Sequence, residues 1–229
     1  FVAFDTAGLR KSKSVQNSIE YYSQSRALRA VRRADVVLLL MDCREVASQV
    51  DKKTAAAILE AGRPVVIAVN KWDLSGDVST EEYESYIRDR LPGLSFAPIA
   101  FLSGKTGSNV WQIISLAEEL YRQSTTRIST GELNQTLRAI LDRRPPLVGN
   151  RRAKVFYATQ IGVSPPTIVL FCNDPELMTP EYRRYLVNRF HEVFPFEEVP
   201  IKLVLRKRER DETRGDRIKA VAESKRKKK

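Results

Sequence analysis

Residues 1–123 alternate short apolar runs with longer amphipathic stretches. Three of the runs are rich in β-branched residues, which predicts parallel strands buried on both faces, at 36–42, 64–70 and 98–103. Apolar residues at helical spacing predict helices at 49–61, 80–91, with Thr80 as its N-cap, and 109–123. Residues 1–4 predict a further strand that ends at Asp5. Such alternation predicts an α/β fold with a doubly wound sheet.

A polar segment at 124–130 separates this half from a different pattern. Periodicity there predicts helices at 131–143 and 180–194, and strands at 154–160, 167–173 and 201–205. The order α-β-β-α-β predicts a small α+β domain whose helices lie on one face of a three-stranded sheet. We therefore divide the chain into a domain at 1–123, a second domain at 124–206 and a basic, disordered tail at 207–229.

Composition narrows the class of protein. The 229 residues are 42% hydrophobic, as expected of a globular protein with a packed core. No apolar run approaches the roughly 20 residues of a membrane helix, so we expect no membrane span. We also expect the protein to be a cytoplasmic monomer. Cys43 and Cys172 lie inside apolar runs and are expected to be free thiols. Two separated Cys and one His give no zinc site.

Positive charge is concentrated at the end of the chain. The formal net charge is +11, and residues 206–229 hold 12 basic and 5 acidic residues. Such a tail suits a polyanion, whose counterions it would release on binding. A solubilising tail explains the same composition equally well.

The first candidate site follows the predicted strand at 1–4. Asp5-Thr6-Ala7-Gly8-Leu9 places a carboxylate at a strand end, where it can hold Mg²⁺ through water. Gly8 would let a backbone N–H approach a terminal phosphate. Taken alone, this short motif fits a tight turn equally well.

The second candidate site, Asn70-Lys71-Trp72-Asp73, follows the strand at 64–70. A carboxylate at Asp73 can accept both the ring N–H and the exocyclic amino group of guanine, a pair that adenine does not offer. Asn70 can tie neighbouring loops together, and the stem of Lys71 can cover the face of the base.

A third loop, Ser103-Gly104-Lys105, follows the strand at 98–103 and can present a backbone N–H to guanine O6. Each of the three motifs ends an apolar run, and a helical pattern separates successive motifs. Because the carboxyl ends of parallel strands meet at one edge of a sheet, all three loops should share one crevice.

Together with the α-β-β-α-β pattern, these motifs resemble the Der (EngA) family of bacterial tandem GTPases. The resemblance implies a Ras-like P-loop GTPase sheet followed by a KH-like domain. It also implies GTP or GDP and Mg²⁺ as ligands, guanine binding by residues 70–73 and 103–105, and a role in maturation of the large ribosomal subunit through ribosomal RNA.

The sequence departs from the family in the phosphate-binding loop. No Gly-x-x-x-x-Gly-Lys-Ser/Thr motif occurs in the 229 residues, so we expect a fragment that is itself inactive. Leu9 stands where Ras-like enzymes carry a water-orienting Gln, and no catalytic side chain is identified.

The second domain lacks the Gly-x-x-Gly loop of ordinary KH domains. A substitute RNA-binding patch is predicted around Pro145-Pro146 and consists of Arg143, Arg144, Arg151, Arg152 and Lys154. Two alternatives stay open: a nucleotide-independent RNA-binding module, and another translation-associated GTPase of the Era-like or tRNA-modifying type. The missing Gly-x-x-Gly loop argues against the Era-like type, and the lack of a Cys after Cys172 argues against the tRNA-modifying type.

Overall fold

The computed structural model describes residues 1–5 and 27–208, and its first half is built on a parallel sheet. The strands β1 (Val37–Asp42), β2 (Val65–Asn70) and β3 (Ile99–Phe101) lie in that order. The helices are α1 (residues 27–33), α2 (Gln49–Ala61), α3 (Thr80–Arg90) and α4 (Val110–Thr125). Buried residues of α2 and α3 pack on one face of the sheet and those of α4 on the other. The predicted doubly wound α/β architecture is confirmed.

Local sequence sets the starts of two helices. Ser48 and Asp51 form a capping box at α2, in which each side chain accepts the backbone N–H of the other residue. Ser79 and Glu82 form the same motif at α3. The predicted N-cap at Thr80 is therefore wrong by one residue, because the Ser79 hydroxyl already accepts the Glu82 N–H.

Residues 1–5 form no strand, contrary to the prediction from their apolar pattern. All five are exposed. Among the described strands β1 lies at the edge of its sheet, and its Leu38 and Leu40 are also exposed. A strand needs a neighbour to satisfy its backbone, and residues 1–5 pair with no strand in the described part of the chain.

The second half holds a mixed sheet. Its strands β6 (Val155–Gly162), β7 (Thr167–Cys172) and β8 (Lys202–Lys207) lie in that order, with β6 and β7 antiparallel and β7 and β8 parallel. Its helices, α5 (Thr130–Arg143) and α6 (Pro180–Val193), both contribute to the core on one face of this sheet. The predicted order α-β-β-α-β is confirmed. The structure also contains a short hairpin where a loop was expected. Its two strands, β4 (Leu147–Val148) and β5 (Arg151–Arg152), have two residues each.

The two halves share a hydrophobic core. One cluster of buried residues runs from the first sheet through α4 to α5, α6 and the second sheet. The end of α4 adds polar contacts, because Gln123 and Glu198 exchange two hydrogen bonds and the Ser124 carbonyl accepts the Ser164 N–H. Since α4 continues to Thr125, it crosses the predicted domain boundary at 123/124, which stays a prediction.

Candidate functional site

The loops after β1, β2 and β3 lie side by side at one edge of the first sheet. Asp42 and Asn70 end paired strands, and the Cys43 N–H donates to the Asn70 carbonyl at 3.0 Å. The Trp72 N–H donates to the Leu102 carbonyl beyond β3, also at 3.0 Å. The second and third motifs thus lie side by side at one edge of the sheet, as the positions of their strands predict.

Asn70 connects these two motifs directly. Its Oδ1 accepts the Lys71 N–H at 2.7 Å and the Gly104 N–H at 3.0 Å. One side chain therefore holds the two loops in register. The Gly104 N–H already donates to Asn70. A guanine O6 would therefore accept a hydrogen bond from another backbone N–H of the same loop. A Cβ on Gly104 would lie 3.6 Å from Asn70 Oδ1, which is ordinary contact, so alanine would fit there.

The loop after β3 is a closed turn. Ser103 is buried, its N–H donates to the Ser108 carbonyl at 3.1 Å, and its Oγ accepts the Thr106 N–H at 3.2 Å. Lys105 stands exposed at the tip. The Ser103 side chain thus shapes the loop from within, whereas Lys105 faces solvent.

The carboxylate of Asp73 is open to a ligand. It lies in a short 3₁₀ turn, Trp72–Leu74, and is exposed. Within residues 1–5 and 27–208 it has neither a hydrogen bond nor an ion pair, so both of its oxygens remain free to accept donors from a base.

Trp72, also predicted to line the guanine site, packs beneath the loop. Its ring lies 4.3 Å from that of Phe101 and meets Tyr83 edge to face at 5.5 Å. These contacts anchor the turn that carries Asp73 to the core between the first sheet and α3.

Asp42 is a member of this site that the sequence analysis missed. Its side chain is only 4% exposed and pairs with Lys71 Nζ at 2.6 Å and with Arg44 Nη2 at 3.0 Å. Hydrogen bonds from Arg44 and Lys71 hold the pKa of the Asp42 carboxyl far below its usual range. Next to it, Cys43 Sγ donates to the Lys71 carbonyl at 3.0 Å, and burial raises the pKa of this thiol. Asp42 thus anchors the ammonium of Lys71, whose backbone adopts a left-handed φ of 62°.

We expect Asp42→Asn to destabilise the chain by about 1–3 kcal/mol at pH 7, because two cations lose their buried anion. The folded state lowers the pKa of Asp42, so its contribution is present above the unfolded pKa of about 3.9 and is lost as pH falls below that value. Urea unfolding at pH 7 and pH 3 should show the gap between variant and wild type narrowing at low pH. Asp89→Asn, at an exposed position on α3, serves as the control. A gap that is independent of pH would contradict this account.

The first motif is only partly described. Asp5 is exposed, whereas Thr6, Ala7, Gly8 and Leu9 lie outside the described residues. Within the described ranges no group of three or more His, Cys, Asp and Glu is arranged to hold a metal ion. None of the helices in that part of the chain combines the length and apolar character needed to cross a membrane.

The predicted basic patch is distributed over several elements. Arg143 and Arg144, at the end of α5, line a hollow of about 370 Å³ beside the start of α6. In the β4–β5 hairpin, Arg151 pairs with Asp174 at 2.8 Å. Lys154 lies over the Phe156 ring at 5.6 Å. The ion pair reduces the positive charge that Arg151 offers to a phosphate.

Comparisons with known proteins match both halves. Residues 1–71 match the family described as 50S ribosome-binding GTPase, and residues 127–206 match the KH-domain-like region of EngA bacterial GTPase enzymes, C-terminal. GTPase Der of Rhodopirellula baltica is 47% identical over 95% of the chain and 48% of its own length. GTPase Der of Desulfitobacterium hafniense is 42% identical over 92% of the chain and 48% of its own length.

Solved structures are less similar. A probable GTP-binding protein, EngB, superimposes with a TM-score of 0.46 and 18% identity, covering 52% of this chain and 77% of its own. The chain spans about half the length of the curated relatives that it matches. The two family matches follow each other along the chain, and the relatives align across both halves at more than 40% identity. The chain therefore belongs to the GTPase Der (EngA) family.

Proposed function

We propose that the polypeptide to which these residues belong binds and hydrolyses GTP and assists maturation of the large ribosomal subunit. One structural observation supports the proposal that this protein binds a guanine nucleotide. Asn70 joins the loop of Asp73 to the loop of Ser103 at the carboxyl edge of a parallel sheet, and the Asp73 carboxylate beside it is exposed. The sequence relationship to proteins named GTPase Der supports the same assignment.

Guanine recognition follows from the acceptors at this edge. Asp73 would accept the ring N–H and the exocyclic amino group of guanine, whereas adenine has no N–H at either position and would leave both carboxylate oxygens unpaired. The aliphatic stem of Lys71, held at its ammonium by Asp42, would cover one face of the base. Asn70 would keep the two loops at a fixed separation.

The described residues supply only part of what a Mg²⁺ site needs, because they contain no group of three or more His, Cys, Asp and Glu that could hold the ion. Asp5 would hold Mg²⁺ through water, with the nucleotide phosphates as the other ligands, and the ion would neutralise charge on those phosphates. The 229 residues contain no phosphate-loop motif, so we expect this chain alone to bind nucleotide weakly and to hydrolyse little. Leu9 has no polar group with which to position water.

Nucleotide competition on the full-length protein tests the proposal. Unlabelled GDP should displace a fluorescent GDP analogue, ADP should fail to do so at the same concentrations, and GTP should be hydrolysed when Mg²⁺ is present. Binding of ribosomal RNA fragments is measured in parallel. If the full-length protein bound RNA but neither guanine nucleotide, the nucleotide-independent RNA-binding module would replace the GTPase assignment.

A further inference from the structure

The second sheet has one covered face and one open face. Residues on the covered face, such as Ala158, Ile168 and Leu170, belong to the shared core with α5 and α6. On the opposite face, pairing between the strands sets Tyr157 beside Phe171 and Phe171 beside Arg206. The described helices α5 and α6 contribute to the cluster on the covered face; on the opposite face the central Val169 is buried, whereas Tyr157 and Arg206 are exposed. The open face therefore carries a row of two aromatic residues and one arginine across three strands.

The aromatic pair leaves one ring surface available. Tyr157 and Phe171 stack with their centroids 4.4 Å apart and their planes 16° from parallel. Phe171 covers one side of the Tyr157 ring. Among the described strands β6 lies at an edge of its sheet, so the other side of the ring faces away from β7. Asn134 of α5 bonds this edge at Ala158, on the covered side of the strand. Tyr157 is 39% exposed. A second planar group can extend the stack from this side.

The charge around this row is of one sign. Strands β6, β7 and β8 contain no Asp or Glu, whereas Lys202 and Arg206 project from β8 on the open face and are exposed. Beside the row, Arg208 lies over the Phe156 ring at 5.2 Å. In the sequence after Arg208, residues 209–216 hold four acidic and two basic residues, and the strongly basic run follows at 217–229. Flat aromatic surface bordered by cations suits a ligand with planar rings and an anionic backbone.

We propose that this open face binds single-stranded RNA by stacking an unpaired base on Tyr157, with Arg206 and Lys202 contacting the adjoining phosphates. The inference rests on the proposed RNA-binding role of the second half, and it names the site and the class of RNA. It adjoins the predicted basic patch at residues 143–154, because Lys154 and Arg208 both lie over the Phe156 ring. A protein partner would gain from an aromatic pair as well, but strands that expose Lys202 and Arg206 and contain no Asp or Glu favour a polyanion over a typical protein surface.

The test uses the 229-residue chain and two labelled RNAs, a short oligouridine that carries one 2-aminopurine and a hairpin duplex. Binding of the single strand should change the 2-aminopurine fluorescence, because the base stacks on a ring. Tyr157→Thr should weaken binding of the single strand about ten-fold, since base–aromatic stacking contributes on that order. Affinity for the duplex should stay the same. Arg206→Gln should lower the slope of log affinity against log salt by about one.

Matched variants separate the possible explanations. Ile161→Thr removes another exposed apolar side chain from β6 and should bind as wild type does. Tyr157→Trp keeps a stacking surface and should retain the fluorescence change, so a result is available even if Tyr157→Thr fails to fold.

If the single strand bound with no 2-aminopurine signal, or if only Arg143→Gln and Arg144→Gln weakened it, the open face would not be the site, although RNA binding by this half would stand. If no RNA bound to wild type, this inference and the RNA-binding part of the proposed function would both fail, whereas the nucleotide part would stand. Capture of a protein by this face in competition with RNA would assign it to a protein partner instead.

Discussion

Asp73→Asn in the full-length protein should weaken GDP binding about a hundred-fold or more and create binding of xanthosine diphosphate. The carboxylate accepts two donors from guanine, whereas an amide accepts one and turns its own N–H toward the second. Hydrogen bonds to charged groups contribute about 1.5–3 kcal/mol each, and an unmatched polar pair adds a desolvation cost. Xanthine carries a carbonyl where guanine carries the amino group, so the amide of the variant is complementary to it. Titrations with fluorescent forms of both nucleotides measure the switch.

The control for this switch lies four residues further along the same loop. Asp77 is exposed, and Asp77→Asn changes the net charge by the same amount as Asp73→Asn. It should keep its preference for GDP. If Asp73→Asn bound GDP as wild type does, or lost GDP without gaining the xanthine nucleotide while it remained folded, Asp73 would not be the residue that reads the base.

Leu120→Ala should have the largest effect on stability, a loss of about 2–5 kcal/mol in the free energy of unfolding. Leu120 is fully buried on α4, within the cluster that runs from the first sheet to the second. Replacing it removes apolar contact and leaves a cavity that close-packed neighbours fill only in part. Urea denaturation followed by far-UV circular dichroism measures the change. Because the core is continuous, we expect both halves to lose stability together.

Trp111 provides the comparison on the same helix. Its side chain is 78% exposed in the first turn of α4, and Trp111→Ala should change the free energy of unfolding by no more than about 0.5 kcal/mol. A small loss at Leu120, or a transition in which only one half is destabilised, would show that α4 does not join the two halves into one unit.

The meeting of the loops proposed to bind guanine was predictable, because each loop follows an apolar run that forms a strand. Asn70 ends β2 and Asp73 lies three residues further on, and Ser103 lies two residues beyond the end of β3. Parallel strands bring such positions to one edge whatever the helices between them contain. The hydrogen bonds of Asn70 to both loops agree with this expectation. A site that arises from the ends of neighbouring strands is thus encoded locally.

Asp42 could not be assigned in the same way. It ends an apolar strand as Asn70 does, and that position was the available signal, but no short motif surrounds it. Its role depends on Lys71, 29 residues away, turning its ammonium back across the strand end. The strand predicted at 1–4 failed for a related reason. An alternating apolar pattern favours an extended backbone, but a strand forms only when a neighbouring strand pairs with it. Within the described residues, no strand pairs with residues 1–4.

Apart from the strand at 1–4 and the β4–β5 hairpin, the sequence by itself determined the order of elements, with a doubly wound first half and an α-β-β-α-β second half, because hydrophobic period and capping residues act over a few positions. The tertiary structure decided which distant side chains meet: the pairing of Asp42 with Lys71, the packing of Trp72 beneath its loop, and the row of Tyr157, Phe171 and Arg206. These contacts depend on strand register and helix docking. Register and docking are set by packing across the whole core, and no local segment contains that information.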